Sequence, residues 1–345
     1  MIKLKWSNGL VPFKPTMLLL AVLVVLGTGC TSTDEDSDDV TGDWLRGSDF
    51  EGVARTEAIS FTINDAAYVG SGFDGDERLN DLWMFDATTG TWTQQADIPG
   101  NARSAAIAFT LEEKAYVGTG YDGLDRMNDF YEYNASTNSW AQKANFPGSA
   151  RYDACGFSVN NKGYITCGFD GNYLKDLWEY DATTDSWLQK ASLGGTKRSG
   201  ATAFVIDSKA YIAGGINNGS YPDDFWMYDA GTNSWTQKRK ISNISDDDYD
   251  DDYSDIARTN AISFVVNDKG YLACGDRSGV LATAWEYNPT DDTWIQKTAL
   301  EASARSGAVS FTVSNTGYIT TGNNSSYRFD DLWKFNADAT QVDNN

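Results

Sequence analysis

The chain has 345 residues, 41% hydrophobic and 13% aromatic, with a formal charge of −22 and no histidine. An acidic surface of this size repels phosphate backbones and excludes nucleic-acid binding. The missing imidazole excludes every site built on histidine, and the aromatic content is that of a packed core rather than a disordered chain.

Residues 1–29 read as an export signal outside the fold. Lys3, Lys5 and Lys14 precede the apolar run 17–26 (MLLLAVLVVL), and Gly27-Thr28-Gly29 leads into Cys30. A basic start, a short apolar run and small residues before a cut describe a secretory signal. Ten apolar residues fall short of the ~20 that span a bilayer. The pattern resembles a bacterial lipoprotein signal. That resemblance implies acylation of Cys30 and anchoring to the outer membrane of a Gram-negative bacterium, on its periplasmic or its surface side. Gly27 stands where such signals prefer leucine, and the alternative is ordinary cleavage nearby. Residues 30–41 carry Asp34, Glu35, Asp36, Asp38 and Asp39, an acidic tether expected to stay unstructured. Acidic residues at this place also resemble the surface-export signals of some lipoproteins.

The body, 42–336, is one unit written six times, followed by a tail at 337–345. An arginine opens each unit: Arg55, Arg103, Arg151, Arg198, Arg258 and Arg305, at steps of 48, 48, 47, 60 and 47. A tyrosine (Tyr68 and its counterparts), a glycine (Gly72 and its counterparts) and a spaced aromatic pair (Trp83 and Phe85 in the first unit) recur in phase. Within each unit four short runs rich in aromatic and β-branched residues alternate with turn-formers. Four strands in a unit of about 48 residues make a propeller blade. The expected fold is all-β, with six blades of four antiparallel strands. The sixth unit lacks its closing tryptophan, and Trp44 stands free before the first. Trp44 to Arg55 is 11 residues, the spacing of Trp92 to Arg103. The strand around Trp44 should therefore complete blade 6 and close the ring.

The glycine, the aromatic pair and the tryptophan, as in DLWEYDATTDSW at 176–187, resemble the Kelch repeat. The resemblance covers 42–336 in six registered copies. The family's Gly-Gly doublet is intact only at Gly214-Gly215; Ser71, Thr119, Cys167, Cys274 or Thr321 fills its first place elsewhere. The resemblance implies a place in the galactose oxidase/Kelch-like superfamily. Copper held by histidines is excluded here. Sugar mutarotases of the N-acetylneuraminate epimerase type are distantly similar.

Function is sought where the repeats differ. The gap between Trp235 and Arg258 holds twelve extra residues within 242–255 (SNISDDDYDDDYSD). This insert reads as a solvated acidic loop, a docking patch for a basic partner, or a Ca²⁺ site with Asp246, Asp248, Asp250 and Asp252 as ligands. It lacks the spacing and glycine of an EF-hand. Asp74, Asp122 and Asp170 lie in aromatic-Asp-Gly loops of blades 1–3, as turn-formers and as ligand or arginine partners on the loop face. The six arginines are expected near the channel mouth, structural or ligand-binding. Glu57 and Asp153 are the two charged members of a series two residues beyond them, and are the catalytic candidates if an acid–base pair exists. Cys155 and Cys167 face each other across a hairpin whose turn is Asn160-Asn161, as a disulfide or as free thiols. The expected function is a binding module for a protein or glycan, monomeric and lipid-anchored, with no required cofactor. The alternative is a sugar mutarotase or epimerase.

Overall fold

The computed structural model describes Gly9, residues 40–325 and residues 327–342. The export signal, Cys30 and the acidic tether up to Asp39 lie outside the described residues, Gly9 excepted. No described helix is long and apolar enough to cross a membrane.

Residues 40–342 form six antiparallel sheets. In blade 3 the strands run from the axis outward as Cys155–Val159, Lys162–Thr166, Leu177–Asp181 and Ser186–Lys190. Each innermost strand packs against the innermost strands on both sides, blade 6 against blade 1 included, so the ring is closed. Blade 6 is built from Ser306–Val313, Thr316–Asn324 and Leu332–Thr340, with Thr41–Arg46 as its outer strand and Tyr327–Arg328 as a short appendage. Trp44 pairs with Phe335, is fully buried, and donates its indole N–H to the Thr298 carbonyl of blade 5 at 2.9 Å. Closure removes the sheet edge that Leu332–Thr340 would otherwise expose. That last strand runs past residue 336 to Thr340, where the sequence reading places a tail, because Thr41 supplies it with a partner.

Blades are held to one another by a repeated hydrogen bond. The glycine of each second strand donates its N–H to the carbonyl of the next blade's opening arginine, as in Gly72 to Arg103 and, around the seam, Gly322 to Arg55, both at 2.8 Å. Holding the chain there forces the preceding residue into the left-handed region. Thr119 sits at φ +60° and Thr321 at +65°, a costly conformation for a β-branched residue. Both side chains are fully buried and their hydroxyls have no partner among the described residues. Thr119→Gly is therefore expected to stabilise the protein by about 1 kcal/mol. Relief of left-handed strain and of an unsatisfied hydroxyl outweighs the lost methyl contacts and the entropy of glycine. Denaturant unfolding checks this, and a loss of stability would show that the methyl packing dominates.

Candidate functional site at the channel mouth

The six opening arginines are at most 1% exposed, which corrects their placement as rim residues open to a ligand. Five of the six are locked by a carboxylate just ahead of the third strand, not by the loop aspartates the sequence suggested. Arg151 binds Asp176 through both terminal nitrogens, at 2.6 and 2.8 Å, and reaches the Cys167 carbonyl at 2.9 Å. Arg55–Asp81, Arg103–Asp129, Arg198–Asp224 and Arg305–Asp331 repeat the pair. The same carboxylate accepts the indole N–H of the tryptophan two residues on, as in Trp178 to Asp176 at 2.8 Å. Burial alone would raise the carboxyls of Asp176, Asp224 and Asp331. The arginine bonds and charge outweigh it and hold all three below the ordinary value. This latch was readable in the Asp-x-Trp of blades 1, 3, 4 and 6 and the Asp-x-Tyr of blade 2, whose Tyr131 hydroxyl donates to Asp129, an aspartate 25 or 26 residues after its arginine.

Blade 5 breaks the pattern, with Thr283 at the aspartate's place. The insert repairs it. Asp255 takes the Arg258 guanidinium at 2.6 Å, the Trp285 indole at 2.8 Å and the Thr283 hydroxyl at 2.7 Å. Tyr253 packs edge-on to Trp285, and Asp250, fully buried, accepts the Ile244 and Ser245 N–H groups and the Ser245 hydroxyl. The insert is thus an ordered strut for blade 5 rather than a free loop. Asp250 is buried with both carboxylate oxygens engaged, whereas Asp246, Asp248 and Asp252 are exposed. Among the described residues no three acidic or thiol side chains converge as metal ligands do. Acid count alone does not make a coordination sphere.

Asp74, Asp122 and Asp170 are turn-formers on the loop face. Asp74 accepts the N–H groups of Asp76 and Glu77, and Asp122 those of Leu124 and Asp125. These bonds hold both carboxyls below the ordinary value, with Arg328 beside Asp74 and Arg78 beside Asp122 adding to the effect. Asp170 accepts from Asn172 in the same way. The arginines these loops meet are thus a second set that sequence reasoning missed. Arg328 stacks on Phe73 at 4.9 Å, Arg78 on Phe73 at 5.0 Å and Tyr121 at 4.7 Å, and Arg126 on Phe169 at 5.6 Å. The result is a belt of alternating guanidinium and ring across blades 6, 1, 2 and 3. No described residue accepts a hydrogen bond from any of these three guanidinium groups. The loop glycines make room for the belt: a Cβ on Gly75 would fall 2.5 Å from Arg328. Beyond it lies a cavity of about 340 Å³ floored by Phe169 and Tyr173 and edged by Asn172, Asn217 and Lys197.

Inside the belt is the throat. Glu57, Ala105, Asp153, Gly200, Asn260 and Gly307 line one cavity of about 160 Å³. All six have positive φ, from +50° to +61°. Their backbones form a closed circle of hydrogen bonds, each N–H donating to the carbonyl of the preceding blade at 2.8 to 3.1 Å, with Glu57 to Gly307 completing the loop. The structure therefore brings Glu57 and Asp153 together. It adds Asn260, an uncharged residue that a search for titrating groups passes over. None of the three side chains has a hydrogen-bond partner among the described residues. Burial first, and then the Glu57 charge, push the Asp153 carboxyl up to about 7.

Cys155 and Cys167 are free buried thiols, the second of the two alternatives the sequence offered, and their side chains hydrogen-bond to each other. The two-residue turn pairs Val159 with Lys162, so Cys155 opposes Thr166 and not Cys167.

A model of the KLHDC2/KLHL20/DRC7 Kelch-repeats domain matches residues 46–168, and the Kelch motif matches 197–240. No curated protein matches the chain. A solved structure titled "Structure of YjhT" aligns with a TM-score of 0.69 over 83% of this chain and 95% of that one, at 18% identity, a likeness of fold. Six registered repeats, a closed ring and these matches together make the chain a six-bladed Kelch-type β-propeller.

Proposed function

We propose that the protein is a binding module that takes a glycan on its loop face, held at the cell envelope by a lipid on Cys30. One observation carries the ligand class: three stacked guanidinium groups with unfilled donors share the loop face with a throat of unfilled oxygen acceptors. A sugar has what both lack, hydroxyls that donate and accept, and an apolar C–H face that lies flat on aromatic rings. Convergent polar groups in a concave, partly aromatic site are the usual form of a small-ligand pocket. The anchor rests on the leader sequence ahead of Cys30. Arg126 is exposed and its side chain donates no hydrogen bond to a described residue, so Arg126→Ala should fold normally and weaken glycan binding about tenfold, ~1.4 kcal/mol. A glycan array followed by titration of the best ligand tests this; unchanged affinity, or protein partners with no glycan bound, would overturn it.

A second reading follows from the acid pair. A carboxyl near neutrality beside a second carboxylate can give and take a proton at a sugar's anomeric centre, as a mutarotase requires. NMR of anomer exchange with a panel of reducing sugars, sialic acid included, is expected to show acceleration that Asp153→Asn abolishes. No acceleration in the native protein removes this reading.

A further inference from the structure

We infer that the throat is a receptor for a primary ammonium group, the protonated amine of an amino sugar. The inference rests on the glycan reading and narrows it. Glu57, Asp153 and Asn260 come from alternate blades, 1, 3 and 5, so three polar residues are spaced evenly around one cavity. An ammonium carries three N–H donors in that same threefold arrangement and accepts nothing. The intervening blades supply Ala105, Gly200 and Gly307, and the small residues are required. A Cβ on Gly200 would fall 2.3 Å from the Asn260 Oδ1, and one on Gly307 would lie 3.6 Å from the Glu57 Cγ. The side chains of the polar blades thus lean across the bare blades between them.

The charge balance points the same way. Two carboxylates share a cavity of about 160 Å³, and no described cation is paired with them. The six buried arginines are committed to the latch aspartates. In the belt, Arg328 and Arg78 are balanced by Asp74 and Asp122. Burial first, and then the Glu57 charge, raise the Asp153 carboxyl, and a cation seated between the two acids would offset both. A metal ion fits poorly. Hard divalent cations take six to eight oxygens, and the layer beneath the three acceptors is a collar of alanines: Ala58, Ala106, Ala154, Ala201, Ala261 and Ala308. An ammonium needs three acceptors and tolerates methyl groups behind it. Outside the throat, the rest of the sugar would meet the Arg126 and Phe169 end of the belt. Tyr152 links the two regions: its ring lies 6.0 Å from Arg126, and it adjoins Asp153 in the chain.

The test is calorimetric titration of the full-length protein with glucosamine, N-acetylglucosamine, glucose and n-butylammonium. Glucosamine should bind at least tenfold more tightly than N-acetylglucosamine, which keeps the ring but loses the charge. The double change Glu57→Gln with Asp153→Asn should erase that preference, with thermal unfolding confirming the fold. Should the double variant misfold, Asn260→Asp serves instead and should widen the preference. Equal binding of glucosamine and its N-acetyl form, or a preference that survives the double change, overturns the ammonium site while leaving the glycan reading intact. Butylammonium binding that the double change abolishes, with no sugar bound, upholds the ammonium site and removes the glycan reading. No binding by any of the four overturns both.

Discussion

Asp255→Ala is expected to cost about 3–5 kcal/mol, the range for removing one partner of a buried ion pair, whereas Asp246→Ala in the same acidic insert should cost less than ~0.5 kcal/mol. The difference lies in what each carboxylate holds. Asp246 is exposed and accepts no side-chain bond. Asp255 satisfies three donors, and one of them is the fully buried Arg258. Burial already pulls the Arg258 guanidinium down to about 10, and the Asp255 charge is the largest influence opposing that pull. Without it the cation keeps only the backbone carbonyls of residue 255, Cys274 and Thr283, which are dipoles and not a counter-charge. The other five blades carry their aspartate at the position of Thr283. Asp255→Ala combined with Thr283→Asp should therefore recover at least half of the lost stability in denaturant unfolding. A cost below ~1 kcal/mol for the single change, or no recovery in the double, would mean that the insert does not complete the latch.

The architecture was legible in the sequence because ring geometry repeats itself. Six arginines in phase set the blade count, and the spacing from Trp44 to Arg55 located the closing strand before any coordinates did. Contacts between elements were less legible. The arginines were matched to Asp74, Asp122 and Asp170 because those acids lie on the expected face. The true partners recur just as regularly, but they are embedded in the Asp-x-Trp or Asp-x-Tyr motif and read as part of a strand. A two-residue turn fixes which residues oppose, so Asn160-Asn161 sets Cys155 against Thr166 and leaves Cys167 one step out of register, its thiol still within hydrogen-bond reach. The insert is a different case. Its seven aspartates suggested a cation, yet a coordination sphere depends on convergence, and Asp250 and Asp255 are turned inward to amides and to an arginine. In the throat, Glu57 and Asp153 stood out by charge. Asn260 did not, although the alternation of polar and small residues around the six blades was present in the sequence.

Asp153→Asn should raise stability at pH 8 and leave it nearly unchanged at pH 4. In the folded protein this carboxyl titrates near 7, against an ordinary 3.8. Between those values the folded state keeps a proton that the unfolded chain releases, so stability falls as pH rises through the window and the loss is complete above pH 7. At about 1.4 kcal/mol per pH unit the ceiling is about 4 kcal/mol, and water in the channel should reduce it to about 2 kcal/mol. The latch acids act in the opposite sense. Asp176, Asp224 and Asp331 have depressed values, so their contribution is present above pH 4 and is lost as pH falls below it. The native protein should accordingly be most stable on the acidic side of neutrality, with melting temperature declining from pH 5 to pH 8. Asp153→Asn should flatten that decline, and Glu57→Gln should do so in part, because the Glu57 charge is the second cause of the shift. An unchanged decline in Asp153→Asn would show that the carboxyl is not strained. If the decline does flatten, the throat carries a stability cost that alanine or glycine avoids at the same position in blades 2, 4 and 6. A residue kept at such a cost against an available remedy is the physical mark of a site that binds something.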